Sequence, residues 1–236
     1  MNVFIYYGNI KDPNSKSFDF ILKLVEYFKK DSYYNDIVLR TADNVNFKFM
    51  NTWKDLINND SSSDRCIIEK ELLNADLIII ASPVFLHNVT AYTKLFLDNY
   101  AHWAHTMPLI GKLGIPISLS SSNGNTYVNN YIEKIMNYWG IITLDPVSIE
   151  LSNLNSEAIM SYIRFLYSNS KIYLEDILSI DYKQMDEIYK LNYNNMMQYK
   201  DDHFEKIIFN NLGYINLDTF EKALRYKITK RDDKLN

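Results

Sequence analysis

Residues 75–100 read ADLIIIASPVFLHNVTAYTKLFLDNY, and the parsing of this stretch decides the fold. Asp76 leads into the apolar run Leu77-Ile78-Ile79-Ile80-Ala81, which Ser82-Pro83 breaks before helix-compatible spacing resumes. A short apolar run closed by a breaker predicts a strand buried on both faces, as in a parallel sheet. Pro83 has no N–H to give a ladder, so the strand ends there and a loop begins. In an open α/β sheet, loops at the carboxyl ends of the strands hold ligands. This loop offers apolar Val84, Phe85 and Leu86 with His87 and Asn88 as its polar groups. Such a surface suits a flat, partly apolar ligand better than a metal or a bare phosphate.

The flanking chain repeats the pattern. Val3 to Tyr7 reads as a first strand ended by Gly8-Asn9, followed by a loop that Pro13 closes. A helix starts near Ser15, with Phe18, Ile21, Leu22, Val25 and Phe28 at helical spacing. Ile37 to Leu39 is a short second strand, and residues 43–65 are irregular, with Ser61-Ser62-Ser63 expected as a solvated loop. Cys66 to Asn74 is expected as a short helix. Beyond Pro83 the spacing predicts a helix over residues 88–102, then a buried strand from Leu113 to Ser120. Val128, Tyr131, Ile132, Ile135, Met136 and Trp139 form the stripe of the next helix, with Gly140 at its C-cap. Ile141 to Ile149 is a fifth strand interrupted by Pro146, and Ala158 to Tyr167 a fifth helix. Five strands alternating with helices predict a doubly wound, five-stranded parallel sheet over residues 1–168. Residues 169–236 are expected to form a helical C-terminal extension. It comprises Asp181 to Tyr199 behind a D-x-x-Q cap, one or two helices within Phe204 to Ile228, and a frayed charged tail from Lys230 to Asn236.

Composition limits the function classes. The chain has 236 residues, 47% hydrophobic and 23% charged, which is ordinary for a globular protein with a substantial core. A net charge of −4 gives no basis for wholesale binding to nucleic acid or an anionic membrane. Cys66 is the sole cysteine, so neither an internal disulfide nor a cysteine-ligated cluster can form. The first residues lack the pattern of a signal peptide, and no apolar run approaches the ~20 residues of a membrane span. A cytoplasmic location is the expectation.

A parallel sheet brings three loops to one edge. Residues 8–17 carry Asn9, Lys11, Asn14, Ser15 and Ser17 at a helix amino end, where free N–H groups and the dipole favour an anion. Asn14 or Ser15 can equally be a plain helix cap, since no Walker-type or G-x-G-x-x-G motif is present. In residues 82–88, Phe85 and Leu86 either receive a ligand or cover the sheet edge, and a lone His87 is more often structural. Residues 120–127 contain Ser120, Ser121, Ser122, Asn123 and Gly124, either a polar turn or small donors able to reach a ring edge. Together the three loops supply different parts of one nucleotide-like ligand. Lys94 and Asp98 are spaced as an i,i+4 helix pair. His102 and His105 lack a third ligand at metal-binding spacing and are read as structural.

The chain resembles the NADPH-dependent FMN reductase group of flavodoxin-like proteins, over roughly residues 1–165. The segment ADLIIIASPVFLHNVTAYTKLFLD carries the resemblance, with Ser82, Pro83, Val84, Phe85, Lys94, Phe96 and Asp98 on the family pattern. The resemblance implies a flavodoxin-like fold, with the FMN phosphate held by Asn9, Lys11, Asn14, Ser15 and Ser17. It implies that Pro83, Val84, Phe85, Leu86, His87 and Asn88 lie along the isoalloxazine. Ser120 to Asn125 and Tyr127 would meet the ring edge. Asn9 and Lys11 stand where the family commonly has Ser and Arg, and Lys lacks the bidentate fork of Arg. Asn99 replaces a frequent Arg. The implied activity is hydride transfer from NADPH or NADH through bound FMN to a small acceptor such as a quinone or flavin, with His87 or solvent supplying any proton. The rivals are a tailoring reductase whose larger substrate the extension admits, an electron carrier, and a binding module that has lost its flavin. A homo-oligomer, dimer or tetramer, is also expected.

Overall fold

The computed structural model describes residues 1–52, 54–55, 62–152 and 154–235, with side chains described up to residue 231. Ser61 and Asn236 therefore lie outside the described residues. β1 (Asn2–Tyr7) is followed by α1 (Lys16–Phe28), β2 (Asp36–Thr41), α2 (Asp64–Asn74) and β3 (Leu77–Pro83). Next come α3 (Ala91–Asn99), the single turn α4 (Trp103–Thr106), β4 (Leu113–Ser120) and α5 (Asn125–Tyr138). β5 (Ile142–Thr143), β6 (Val147–Glu150) and α6 (Ser156–Glu175) precede α7 (Lys183–Gln198), α8 (Phe204–Asn211) and α9 (Phe220–Leu235).

Every strand pairing is parallel, in the order β2-β1-β3-β4-β5, with β6 also on β4. This is the doubly wound flavodoxin-like order. The expected fifth strand exists in two pieces. The carbonyls of Lys112, Gly114 and Ser120 accept from Ile142, Leu144 and Leu151, so even-numbered peptide groups of β4 face the fifth-strand position. Pro116 would aim its missing N–H at the same side, where Asp145 and Pro146 leave the ladder. Two prolines thus face a gap where neither owes a ladder bond.

Period-two alternation builds two cores. Val3, Ile5, Ile79, Ile115 and Ile117 pack under α1 and α6, while Phe4, Tyr6, Ile78 and Ile80 pack under α2, α3 and α5. A third core joins Tyr189, Phe209, Tyr214 and Phe220 of the extension to Met107, Ile110 and Ile142. Its links reach the amino edge of the sheet: Asn192 donates to the Ala104 carbonyl (2.9 Å), and His105 Nδ1 lies 2.8 Å from Glu205 Oε1.

Several local expectations are corrected. Ser63 is no loose loop residue; it caps α2, its hydroxyl accepting from the Cys66 amide. The helix expected over residues 88–102 is shorter, Ala91–Asn99: Thr90 caps its start, and the chain leaves helical backbone at Tyr100 (φ −118°). Asp181 accepts from the Lys183 amide (3.1 Å), while Tyr182 occupies the N-cap without a side-chain bond, so no capping box forms. The helix expected over 158–167 runs unbroken from Ser156 to Glu175, and α9 continues helical through the supposed frayed tail to Leu235. Lys94 and Asp98 do pair at i,i+4. Among the described residues no metal-binding cluster occurs, and no helix is long and apolar enough to cross a membrane.

Two stability predictions follow from these contacts. Gly140 follows α5 at φ +91°, and a Cβ there would lie 3.0 Å from both the Met107 carbonyl and the Ile110 amide. Gly140→Ala should therefore lower stability by about 2 kcal/mol, read from urea midpoints; an unchanged midpoint would refute the packing described. Burial, with the Arg65 guanidinium nearby, pushes the His102 imidazole down to about 4. A depressed folded-state value means this contribution is intact above the unfolded value of ~6.5 and is lost as pH falls through 4, at most about 3 kcal/mol. His102→Gln should flatten the pH dependence of stability in that window relative to wild type. The Glu205 hydrogen bond raises His105, whose contribution is present below ~6.5 and lost above it, outside that window.

Candidate functional site

The carboxyl ends of β1, β3 and β4 place the three loops at one edge. At the first, Asn9 Oδ1 accepts from the Ile10 amide (2.9 Å), and the Asn9 carbonyl accepts from Ala42 (3.0 Å). Lys11 is exposed; its amide donates to Asp43 Oδ1 (3.0 Å). Asn14 is exposed in an Asx turn on Asp12 (2.9 Å). Ser15 is the N-cap of α1, so the plain capping role is realised. Ser17 is buried, with its hydroxyl 2.7 Å from Tyr7 Oη and 2.8 Å from Ser15 Oγ. It supports the loop from beneath.

In the second loop Phe85 and Asn88 exchange both backbone hydrogen bonds at 2.9 Å. The two residues between them, Leu86 and His87, have φ +49° and +60°, which makes this a type I′ turn. That turn ordinarily takes Asn-Gly, and a bulky residue there costs about 1 kcal/mol or more. Leu86 is fully exposed at 101% and Phe85 is 59% exposed, so a strained turn holds apolar side chains out in solvent. Pro83 is buried beneath them, Val84 is half-buried, and the Val84 amide donates to the Leu119 carbonyl (2.9 Å).

The third loop leans on the second. His87 stacks on exposed Tyr127 with ring centroids 5.6 Å apart. Gly124 (φ +87°) has no room for a Cβ, which would lie 2.7 Å from Val84 and 3.2 Å from the His87 Cα. Ser121, Ser122 and Asn123 are exposed. Ser120 Oγ and Asn125 Oδ1 are buried with no hydrogen-bond partner. Buried polar atoms are rarely left so, and here one is a hydroxyl donor and the other an amide acceptor. The alternating acceptors and N–H of a flavin pyrimidine edge would satisfy both, so the residues present fit FMN.

Sequence reasoning missed the group beneath the loops. Ser82, Thr90 and Thr93 are buried, and Thr93 Oγ1 lies 3.0 Å from Ser82 Oγ and 2.9 Å from Thr90 Oγ1. Thr90 Oγ1 donates to the Gly8 carbonyl, and Ser82 Oγ donates to the Pro83 carbonyl (2.9 Å). The available signal was polar residues at helical spacing on a face that should be apolar. Asn99, where the family often has Arg, is buried and donates to the Lys48 (3.1 Å) and Leu95 (2.8 Å) carbonyls. Clefts of about 560 and 260 Å³ lie at the amino edge and beside the interrupted fifth strand. The carboxyl edge is a shelf that brings the unpartnered Ser120 and Asn125 atoms, the type I′ turn and exposed aromatic surface together, so the chemistry points there.

The NADPH-dependent FMN reductase family matches residues 1–154. The iron–sulfur flavoprotein of Archaeoglobus fulgidus is 36% identical over 69 residues, 29% of this chain and 31% of that protein. The chain thus spans about a third of the length of the curated relative it matches. The solved structure of RosB with the bound intermediate 8-demethyl-8-formylriboflavin-5'-phosphate aligns with a TM-score of 0.59 at 12% identity, over 86% of this chain and 89% of that one. An NADH:FMN oxidoreductase in its apo form aligns at 0.54 and 14% identity, over 72% and 88%. At such identities these two are likenesses of fold, whereas the family match covers most of the sequence: the chain belongs to the NADPH-dependent FMN reductase family.

Proposed function

We propose that this protein is an FMN-dependent oxidoreductase that takes hydride from NADH or NADPH and delivers the electrons to a small acceptor, a quinone, a free flavin or another unsaturated compound. One observation carries the reading: an exposed apolar shelf meets unpartnered buried polar atoms at the edge where three loops converge. FMN, when bound, supplies the redox chemistry, and the protein supplies binding and orientation. Ser15, Asn14 and the amino end of α1, with Lys11 above them, receive the phosphate. Phe85 and Leu86 shield one face of the ring, Ser120 and Asn125 meet its polar edge, and Gly124 lets the third loop close on the second. His87, exposed beside Tyr127, is the side chain placed to hand on a proton.

The extension supports this small-acceptor reading over a tailoring reductase, because its links run to the amino edge, away from the shelf. It acts as a buttress and an assembly surface. A homo-oligomer, dimer or tetramer, fits the exposure of Leu86 and Phe85, which a bound ring covers on one side only.

The direct test is the colour of the purified full chain. It should be yellow or turn so with added FMN, release FMN on denaturation, and bleach within seconds under NADH or NADPH without oxygen. A colourless protein that ignores FMN would sink the reading. Slow bleaching with fast exchange to a protein partner would make it a carrier instead. Phe85→Ala with Leu86→Ala should raise the FMN Kd by about tenfold or more, since each side chain brings roughly 1–2 kcal/mol of apolar contact. Ligand-free thermal stability should hold, because both side chains are exposed. An unchanged Kd removes these residues from the site.

A further inference from the structure

We propose that Thr93 is a positioning residue: it sets the separation between the phosphate loop and the ring loop, and so the preference for FMN over riboflavin. This rests on the FMN reading above. The Thr93 side chain is fully buried between the two strand ends. Its hydroxyl bonds Ser82 Oγ at 3.0 Å and lies 2.9 Å from Thr90 Oγ1. Each outer member of this trio then grips the start of one loop. Thr90 donates to the carbonyl of Gly8, the first residue of the phosphate loop. Ser82 donates to the Pro83 carbonyl (2.9 Å) and accepts from the Thr90 amide (3.2 Å), at the start of the ring loop. All three hydroxyl protons have acceptors, the Thr93 proton reaching Ser82 Oγ or Thr90 Oγ1, so every member is satisfied and the trio has little freedom.

Contact distance adds a steric stop. A Cβ on residue 8 would lie 1.8 Å from Thr93 Oγ1, so the Gly8 backbone rests directly on that oxygen. Beyond Gly8 the chain has no slack, because the Asn9 amide bonds Tyr7 (2.8 Å) and the Asn9 carbonyl bonds Ala42 (3.0 Å). A shift of Thr93 therefore moves the phosphate loop relative to the ring loop. Only a ligand held at both ends senses that spacing, because its second contact is gained without a new loss of freedom only if the distance matches. Riboflavin has the ring without the phosphate and should be indifferent.

The test is fluorescence titration of FMN and of riboflavin against the full-length wild type, T93V, T93S and S82A. T93V keeps the shape but removes the hydroxyl and presses a methyl on Gly8, and S82A breaks the bridge from its other side. T93S keeps the hydroxyl. The wild type should prefer FMN; T93V and S82A should each lose about tenfold of the FMN-to-riboflavin ratio, as for one lost buried hydrogen bond. T93S should retain the preference. Ligand-free melting curves identify which variants fold, and either T93V or S82A suffices. A folded T93V or S82A with an unchanged ratio overturns the proposal, as does equal weakening for both flavins, the mark of a merely structural role. A wild type that binds neither flavin defeats the FMN reading itself.

Discussion

The hydrogen bond from Thr90 to the Gly8 carbonyl is the contact on which the functional edge depends. It ties the end of β1 to the amino end of α3, an element 82 residues away in sequence, at the point where both chains leave the sheet. Backbone carbonyls at strand ends need a partner when buried, and here a cap residue supplies it. Thr90 does two jobs with one oxygen: it accepts from the Thr93 amide (3.1 Å) as N-cap and donates to Gly8. The bland function of closing a helix and the specific function of fixing a loop are therefore the same atom. A cap elsewhere on the turn would leave both loops free to drift.

The sheet itself is built to make that edge precise. Alternation places helices on both faces, so strands β1, β3 and β4 are buried except at Asn2 and cannot slip register without exposing an entire face. Irregularity is confined to the far side, where Pro116 and Pro146 share a gap in the fifth strand. Strands that carry loops of the site are continuous. Of the two positions that carry none, β2 is continuous and the fifth is broken.

The fold was legible because parallel strands announce themselves as apolar runs, and Leu77 to Ala81 and Leu113 to Ser120 are unambiguous. The convergence of the three loops at one edge was legible too, since topology alone brings strand ends together. What escaped was local. Ser17 looked like a phosphate donor, yet its hydroxyl turns inward to Tyr7, a choice made by the burial of that helix face. Thr93 carries no signal of its partner in the sequence, because nothing in its neighbours reveals that it faces Ser82 across the loop. Asp181 read as a cap because D-x-x-Q fits the pattern, but the helix starts after Tyr182 and its carboxylate serves the turn before it. Spacing reports which face a residue occupies; it does not report which atom across the gap will meet it.

The two edges of the sheet also differ in how complete they are. At the amino edge the extension supplies a third core, the His105–Glu205 contact and a partner for the Ala104 carbonyl, although Met107 keeps a positive φ and His102 Nδ1 has no hydrogen-bond partner. At the carboxyl edge Ser120 and Asn125 keep unpartnered atoms, Leu86 stands in solvent, and two consecutive non-glycine residues hold positive φ. Each costs stability that the core must offset, and a chain selected for stability alone would place Asn-Gly in that turn. On the proposed reading, one flat ligand with a polar rim would satisfy the Ser120 and Asn125 atoms and cover the exposed Phe85 and Leu86. A strained turn that holds apolar side chains in solvent beside unmet hydrogen bonds is the combination the proposed flavin site calls for.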